Sequence, residues 1–210
     1  MGTLQKGTPM QRRMLLAAAS GLALAEPIPA HATEAVDVAL VLAVDVSRSI
    51  DEDEAKLQRE GYRAAIIDSA VLAAIRGGMI GAIGLAYVEW AGFEYQHTVL
   101  PWTRIATEAD AMAWAAALAA APRASLSRTS ISGAIMHARR VLRDCPFEAT
   151  RRVIDISGDG VNNSGPPAEM QRDEAVAEGI VINGLPIIND RPTFGRPPPA
   201  NLDLYFRDHV

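Results

Sequence analysis

Three short stretches place oxygen-bearing side chains where a hard metal ion would find them. Asp45-Val46-Ser47-Arg48-Ser49 closes an apolar run, Thr129 precedes a segment with helical periodicity, and Asp159 stands in the turn-rich stretch Gly158 to Gly165. Divalent cations such as Mg2+ take oxygen ligands in a near-octahedral arrangement and commonly keep some waters. Only Asp45 and Asp159 of this set are carboxylates, since Ser47, Ser49 and Thr129 offer neutral hydroxyls. An ion held this way stays electrophilic and attracts one more anionic oxygen from outside.

These loops can meet only if the elements before and after them end together. The run Val36 to Val44 has the near-continuous Val and Leu content of a strand buried on both faces, as central parallel strands are. Asp51, Glu52, Asp53 and Glu54 supply a cap and an acidic first turn for a helix reaching about Arg76. After Gly77-Gly78, Met79 to Trp90 and Phe93 to Trp102 read as two strands. Their turn around Ala91-Gly92 is too short for a crossover, so they form an antiparallel hairpin with the later strand at an edge.

Thr107 to Ala121 is an alanine-rich helix closed by Pro122, and Ile131, Ala134, Ile135, Ala138, Val141 and Leu142 share one face of another. Arg151 to Ser157 is a strand. Within it Asp155 needs a partner, for which Arg151 and Arg152 are the candidates. Pro166-Pro167 opens a helix that Gly179 ends, Ile180 to Ile188 is the last strand, and a Pro-rich segment leads to the tail Asn201 to Val210. The order predicts an α/β fold, a doubly wound and mostly parallel sheet with one antiparallel edge strand and helices on both faces. Open sheets of this kind place their sites at the carboxyl ends of parallel strands.

A net charge of −5 in a chain that is 49% apolar gives no reason to expect nucleic acid or an anionic membrane as partner. Lys6, Arg12 and Arg13 precede the apolar stretch Met14 to Ala25, and Ala30-His31-Ala32 has the small residues a signal peptidase reads. Residues 1–32 are therefore expected to be a signal peptide of the Sec or twin-arginine type, too short in its apolar part to span a bilayer. The expected product is periplasmic or extracellular, with no transmembrane segment in the mature chain. It is one domain, 33–210, with its core at 36–188 and a Pro-rich segment at 191–210. Cys145 is the single cysteine, so no intramolecular disulfide forms, and it is expected to pack as a small hydrophobe.

The three loops, in this order and each at the right end of its element, resemble a von Willebrand factor A-type (vWA) domain with its metal-ion-dependent adhesion site (MIDAS). Asp45, Ser47 and Ser49 match the Asp-x-Ser-x-Ser loop, Thr129 with Ser130 to Ile135 matches the threonine loop and its helix, and Asp159-Gly160 matches the later Asp-Gly. More closely, the chain resembles the exported bacterial A-type domains of the domain-of-unknown-function 1194 family. The resemblance covers about Val36 to Ile188. It implies that Ser47, Ser49 and Thr129 contact a Mg2+ or Mn2+ ion and that Asp45 and Asp159 help directly or through water. Two departures stand out. Gly158 replaces the Thr or Ser of many relatives, which should alter loop packing, and after Ile188 the final strand and helix of such domains are not evident, which leaves that sheet edge open.

The expected function is a binding module that captures an exposed Asp or Glu of a protein or peptide through the metal, without turnover, because no base, acid or nucleophile is placed beside the ligands. The enzymatic alternative is a Mg2+-dependent phosphatase of the haloacid-dehalogenase type with Asp45 as nucleophile. That chemistry wants a second aspartate where Ser47 stands and a lysine between the motifs, whereas the chain's lysines are Lys6 and Lys56. A serine hydrolase lacks its Gly-x-Ser-x-Gly elbow. In the plainest alternative, a metal-free structural module, Ser47 and Ser49 are turn residues and Thr129 is a helix N-cap.

Overall fold

The computed structural model describes residues 1–3, 33–50, 52–188 and 197–210; most of the predicted signal peptide, Asp51 and residues 191–196 of the Pro-rich segment fall outside these. In chain order the elements are β1 (Ala35–Asp45), α1 (Glu52–Ile67), α2 (Ser69–Arg76), β2 (Ile83–Trp90), β3 (Gln96–Ile105), α3 (Glu108–Ala120), α4 (Ile131–Arg143), β4 (Glu148–Gly158), α5 (Ala168–Ala177), β5 (Ile180–Pro186) and α6 (Leu202–His209). The strands lie in the order β3-β2-β1-β4-β5. β1 runs parallel to β2 and β4, β4 runs parallel to β5, and β3 is the antiparallel edge strand.

β1 is central because it can be buried on both sides. Val41 and Ala43 face a core made with Ile131, Ile135 and Ala138 of α4 and with Leu202 and Phe206 of α6. Leu42 and Val44 face the opposite core, made with Ile66 of α1, Leu72 and Ile75 of α2, and Trp114 and Leu118 of α3. Period-two alternation along the apolar stretch Val38 to Val44 thus feeds two helix layers at once. On the second face Arg59 of α1 makes a largely buried ion pair with Glu89 of β2 at 2.5 Å. The same guanidinium donates to the carbonyls of Ala121 and Pro122, fixing the end of α3.

Four local differences from the sequence expectation have physical causes. The first long helix divides at Asp68, whose carboxylate accepts from Ala70 N–H at 2.8 Å and Val71 N–H at 3.3 Å and so starts α2 anew. β2 begins at Ile83 instead of Met79, because the Asp37 carboxylate binds the N–H groups of Ile80 and Gly81 at 3.0 and 2.8 Å and holds that segment in a turn. Asp155 is matched across the β4–β5 register with Asn183, whose side-chain amide donates to it at 2.6 Å, while Arg152 donates to the Glu178 carbonyl. Burial still raises the Asp155 pKa, with the Asn183 hydrogen bond opposing it.

The fourth difference is the tail. Between Asn201 and Val210 the chain forms α6 (Leu202–His209), which lies on β5 with the Phe206 ring against Gly184; a Cβ there would come within 2.9 Å of Cδ1. Leu202 and Phe206 bury into the core while Leu204 stays 42% exposed. Phe206→Ala should therefore cost about 3 kcal/mol of unfolding free energy in urea titrations, as buried aromatic truncations do, whereas Leu204→Ala should change it by less than about 0.5 kcal/mol. Equal small effects at both positions would mean that α6 does not dock.

Candidate metal centre

Asp45 ends β1 and is wholly buried. Its Oδ1 accepts from Ser47 N–H at 2.7 Å, the two-residue side-chain turn that Asp favours, and Ile50 N–H closes the next turn on the Ser47 carbonyl at 3.0 Å. The loop is clamped from both sides, since Val46 N–H binds the Trp90 carbonyl at 2.8 Å and Leu126 N–H binds the Val46 carbonyl at 3.2 Å. From this frame Ser47 Oγ meets Ser49 Oγ at 2.9 Å, and Ser49 Oγ donates to Asp159 Oδ1 at 2.6 Å. The first and third loops are therefore in direct contact.

Thr129 arrives from the other side. Its N–H donates to Asn163 Oδ1 at 3.0 Å and its carbonyl accepts from Asn163 N–H at 2.9 Å, so the threonine loop and the Asp159 loop are tied reciprocally. The N-cap of α4 is Ser130, which accepts from Gly133 N–H at 3.1 Å and donates to the Ser164 carbonyl at 2.7 Å. The capping role considered for Thr129 thus belongs to its neighbour. The Thr129 hydroxyl makes no hydrogen bond to a described residue, and its Oγ1 lies 3.3 Å from where a Cβ on Gly160 would stand. Ser47, Ser49, Thr129 and Asp159 all line one cavity of about 480 Å3.

The electrostatics of this cluster are unbalanced. Burial pushes the Asp45 carboxyl up to about 8, with the Ser47 N–H opposing and the Asp159 charge adding to the rise. Asp159 is also raised, first by its own burial. Among the described residues Asp45 Oδ2 has no hydrogen-bond partner. Two carboxylates so close, one with an orphaned oxygen and neither paired with a described Lys or Arg, are what a bound cation would compensate. The donors are all oxygen, which suits a hard divalent ion. Among the described residues no group of three or more His, Cys, Asp or Glu side chains is placed to hold a metal.

Gly158 also has a definite role. A Cβ there would stand 3.0 Å from Asp45 Oδ2 and 3.2 Å from the ring of fully buried Trp90, so Trp90 fills the volume that a side chain at 158 would need. Sequence reasoning missed the supporting residues Ser130, Asn162, Asn163 and Ser164. The Asn162-Asn163 pair reads only as turn composition, although Asn162 Oδ1 accepts from Ser132 N–H at 3.1 Å and its amide donates to the Pro166 carbonyl at 2.9 Å.

The sheet order, the helices on both faces and the convergence of these loops at the carboxyl ends of β1 and β4 define a von Willebrand factor A-type fold. The chain belongs to the family described as "Protein of unknown function (DUF1194)", whose model matches residues 35–210. Among solved structures it is similar to proximal thread matrix protein 1 from the mussel byssus, at TM-score 0.56 and 16% identity over 72% of this chain and 38% of that one. A further structure of that mussel protein, described as having a zinc-occupied MIDAS motif, matches at TM-score 0.53 and 21% identity over 73% and 36% of the two chains. An aerotolerance-related membrane protein from Bacteroides fragilis matches at TM-score 0.52 and 20% identity, over 78% of this chain and 73% of that one. A von Willebrand factor type A structure from Catenulispora acidiphila matches at TM-score 0.50 and 17% identity, over 71% and 33%. This chain therefore spans less than two fifths of the mussel structures it matches, and at these identities the likeness is one of fold. No curated protein matches the sequence.

The division of roles between neighbours is testable in chelator. Ser130→Ala leaves Gly133 N–H and the Ser164 carbonyl without their partner and should cost about 1–2 kcal/mol in urea unfolding. Thr129→Val removes a hydroxyl that bonds no described residue and should stay within about 0.5 kcal/mol. The opposite order would return the cap to Thr129.

Proposed function

We propose that this chain is a metal-dependent protein-binding module in which Asp45, Ser47, Ser49, Thr129 and Asp159 hold one divalent cation, Mg2+ or Mn2+, and a partner's exposed carboxylate completes the ion's surroundings. The observation that carries this reading is the convergence of Ser47, Ser49, Thr129 and Asp159 on one cavity, with the fully buried Asp45, whose Oδ2 has no hydrogen-bond partner among the described residues, bonded to the Ser47 N–H. The cation supplies a positive centre for an anionic oxygen. The protein's own part is to hold the hydroxyls and carboxylates in place and to leave the cavity open to a ligand.

The phosphatase alternative gains nothing from the geometry, since the position of its general acid is taken by Ser47, which is engaged with Ser49. No catalytic residue is proposed. Among the described residues no helix is long and apolar enough to cross a membrane. The basic start, the short apolar run and Ala30-His31-Ala32 support export with cleavage after Ala32, and the family match lies beyond that segment.

Metal addition tests the core of the reading. Mn2+ at about one hundred times its dissociation constant should stabilise the wild type by about 2.7 kcal/mol against unfolding. Asp45→Ala should abolish both that gain and the calorimetric heat of binding, and Ser47→Ala should weaken them less. Equal Mn2+ binding by wild type and Asp45→Ala would overturn the assignment, and no binding by either would favour the metal-free structural module. For the hydroxyl donor, Thr129→Ser should retain more Mn2+ affinity than Thr129→Val; indistinguishable affinities would remove Thr129 from the ligand set. Turnover of a phosphate ester that is lost in Asp45→Asn would restore the phosphatase reading.

A further inference from the structure

The rim of the cavity carries two guanidinium groups that the metal set does not use. Arg48, between the two serines, and Arg128, beside Thr129, line the same cavity as Ser47, Ser49, Thr129 and Asp159, and these two arginines and Asp159 are the charged side chains of its lining. Both arginines are exposed, and neither makes a hydrogen bond or ion pair with a described residue. In the same molecule Arg59, Arg63 and Arg139 are each engaged by carboxylates.

Arg128 is also held in an unusual conformation, with φ at 74° in the left-handed region that side chains other than Gly rarely adopt. Its Cβ would be 3.3 Å from a Cβ on Gly92, and the chain on its carboxyl side is fixed by Thr129 to Asn163 and by Ser130 N–H to the Ala91 carbonyl at 2.7 Å. A strained residue persists where its surroundings over-determine it, and here they keep an unpaired arginine at the mouth of the site.

We propose that the site recognises a cluster of neighbouring acidic side chains on a protein segment. One carboxylate completes the metal's surroundings while a second, next to it in the partner, is gripped by Arg48 and Arg128. This rests on the metal-capture reading above. Arginine suits the task because its planar fork binds a carboxylate through two parallel N–H groups, which a lone Asp or Glu already committed to the metal would leave unused.

The test compares two fluorescent peptides, one with three consecutive acidic residues and one in which the flanking two are their amides. Binding is followed by anisotropy in Mg2+ and in EDTA, for wild type and for the doubly substituted Arg48→Gln, Arg128→Asn protein. Asn is chosen at 128 because it tolerates the left-handed conformation. The triacidic peptide should bind the wild type in Mg2+ roughly tenfold more tightly than its counterpart, the size expected for two exposed charge pairs acting together. In the variant that preference should fall to about twofold or less while Mn2+ affinity by calorimetry is retained, and added salt should erode it in the wild type. Equal binding of the two peptides by wild type, or a preference that survives both substitutions, overturns the proposal. An arginine-dependent preference undiminished in EDTA upholds the arginine grip but overturns metal capture, and binding of neither peptide overturns both.

Discussion

The rest of the structure is arranged around a carboxylate buried without a counter-charge. Asp45 has one oxygen committed to the Ser47 N–H and the other, close to Gly158, without a hydrogen-bond partner among the described residues. Such a group is costly in a metal-free protein, and the cost can be carried only by a scaffold with stability to spare. That scaffold is β1, whose alternate residues anchor two separate cores. A strand held from both faces and by neighbours on both edges cannot shift to relieve the strain at its end.

The same strand determines why three loops distant in sequence converge. β1 and β4 run parallel and in register, so Val44 stands beside Ser157, and the Asp45 and Asp159 loops leave the sheet at the same end. The threonine loop joins them because Ile131, Ala134 and Ile135 of α4 pack against that sheet while Ser130 N–H binds Ala91, just past the end of β2. On the other face Arg59 links α1, β2 and the end of α3, with the Glu89 carboxylate buried beneath it. A buried ion pair of this kind contributes little net stability, but removing one partner strands the other, so it fixes the arrangement of three elements.

The succession of strands and helices along the chain, the hairpin and the converging loops were legible in the sequence because each rests on a local signal: apolar runs of strand length, a connection too short for a crossover, one helical face on α4. The misread boundaries share a different cause. Asp37 and Asp68 look like ordinary polar residues, and only the fold shows which backbone N–H groups they capture. α6 was missed because eight residues after a Pro-rich stretch carry too short a pattern, and its burial depends on Gly184, a distant residue that leaves room for Phe206. For Asp155 charge alone offers Arg151 and Arg152 as candidate partners, whereas the register of β4 on β5 supplies Asn183. At the site the candidate metal-binding side chains could be read from type and order, but the Asn162-Asn163 scaffold could not, because amides that serve the backbone leave no periodic trace.

The site residues divide their polar groups between two tasks. Asp45 fixes its loop with Oδ1 and leaves Oδ2 without a partner; Thr129 is anchored through its own N–H and carbonyl, while the cap that its hydroxyl could have supplied is made by Ser130. Had Thr129 served as the cap, its oxygen would be consumed in stabilising α4, and the cavity wall would lose a donor. The placement of Ser130 one residue later therefore matters as much as the threonine itself. It lets helix α4 be capped and the loop be rigid at once, with an oxygen held ready that the fold itself does not require.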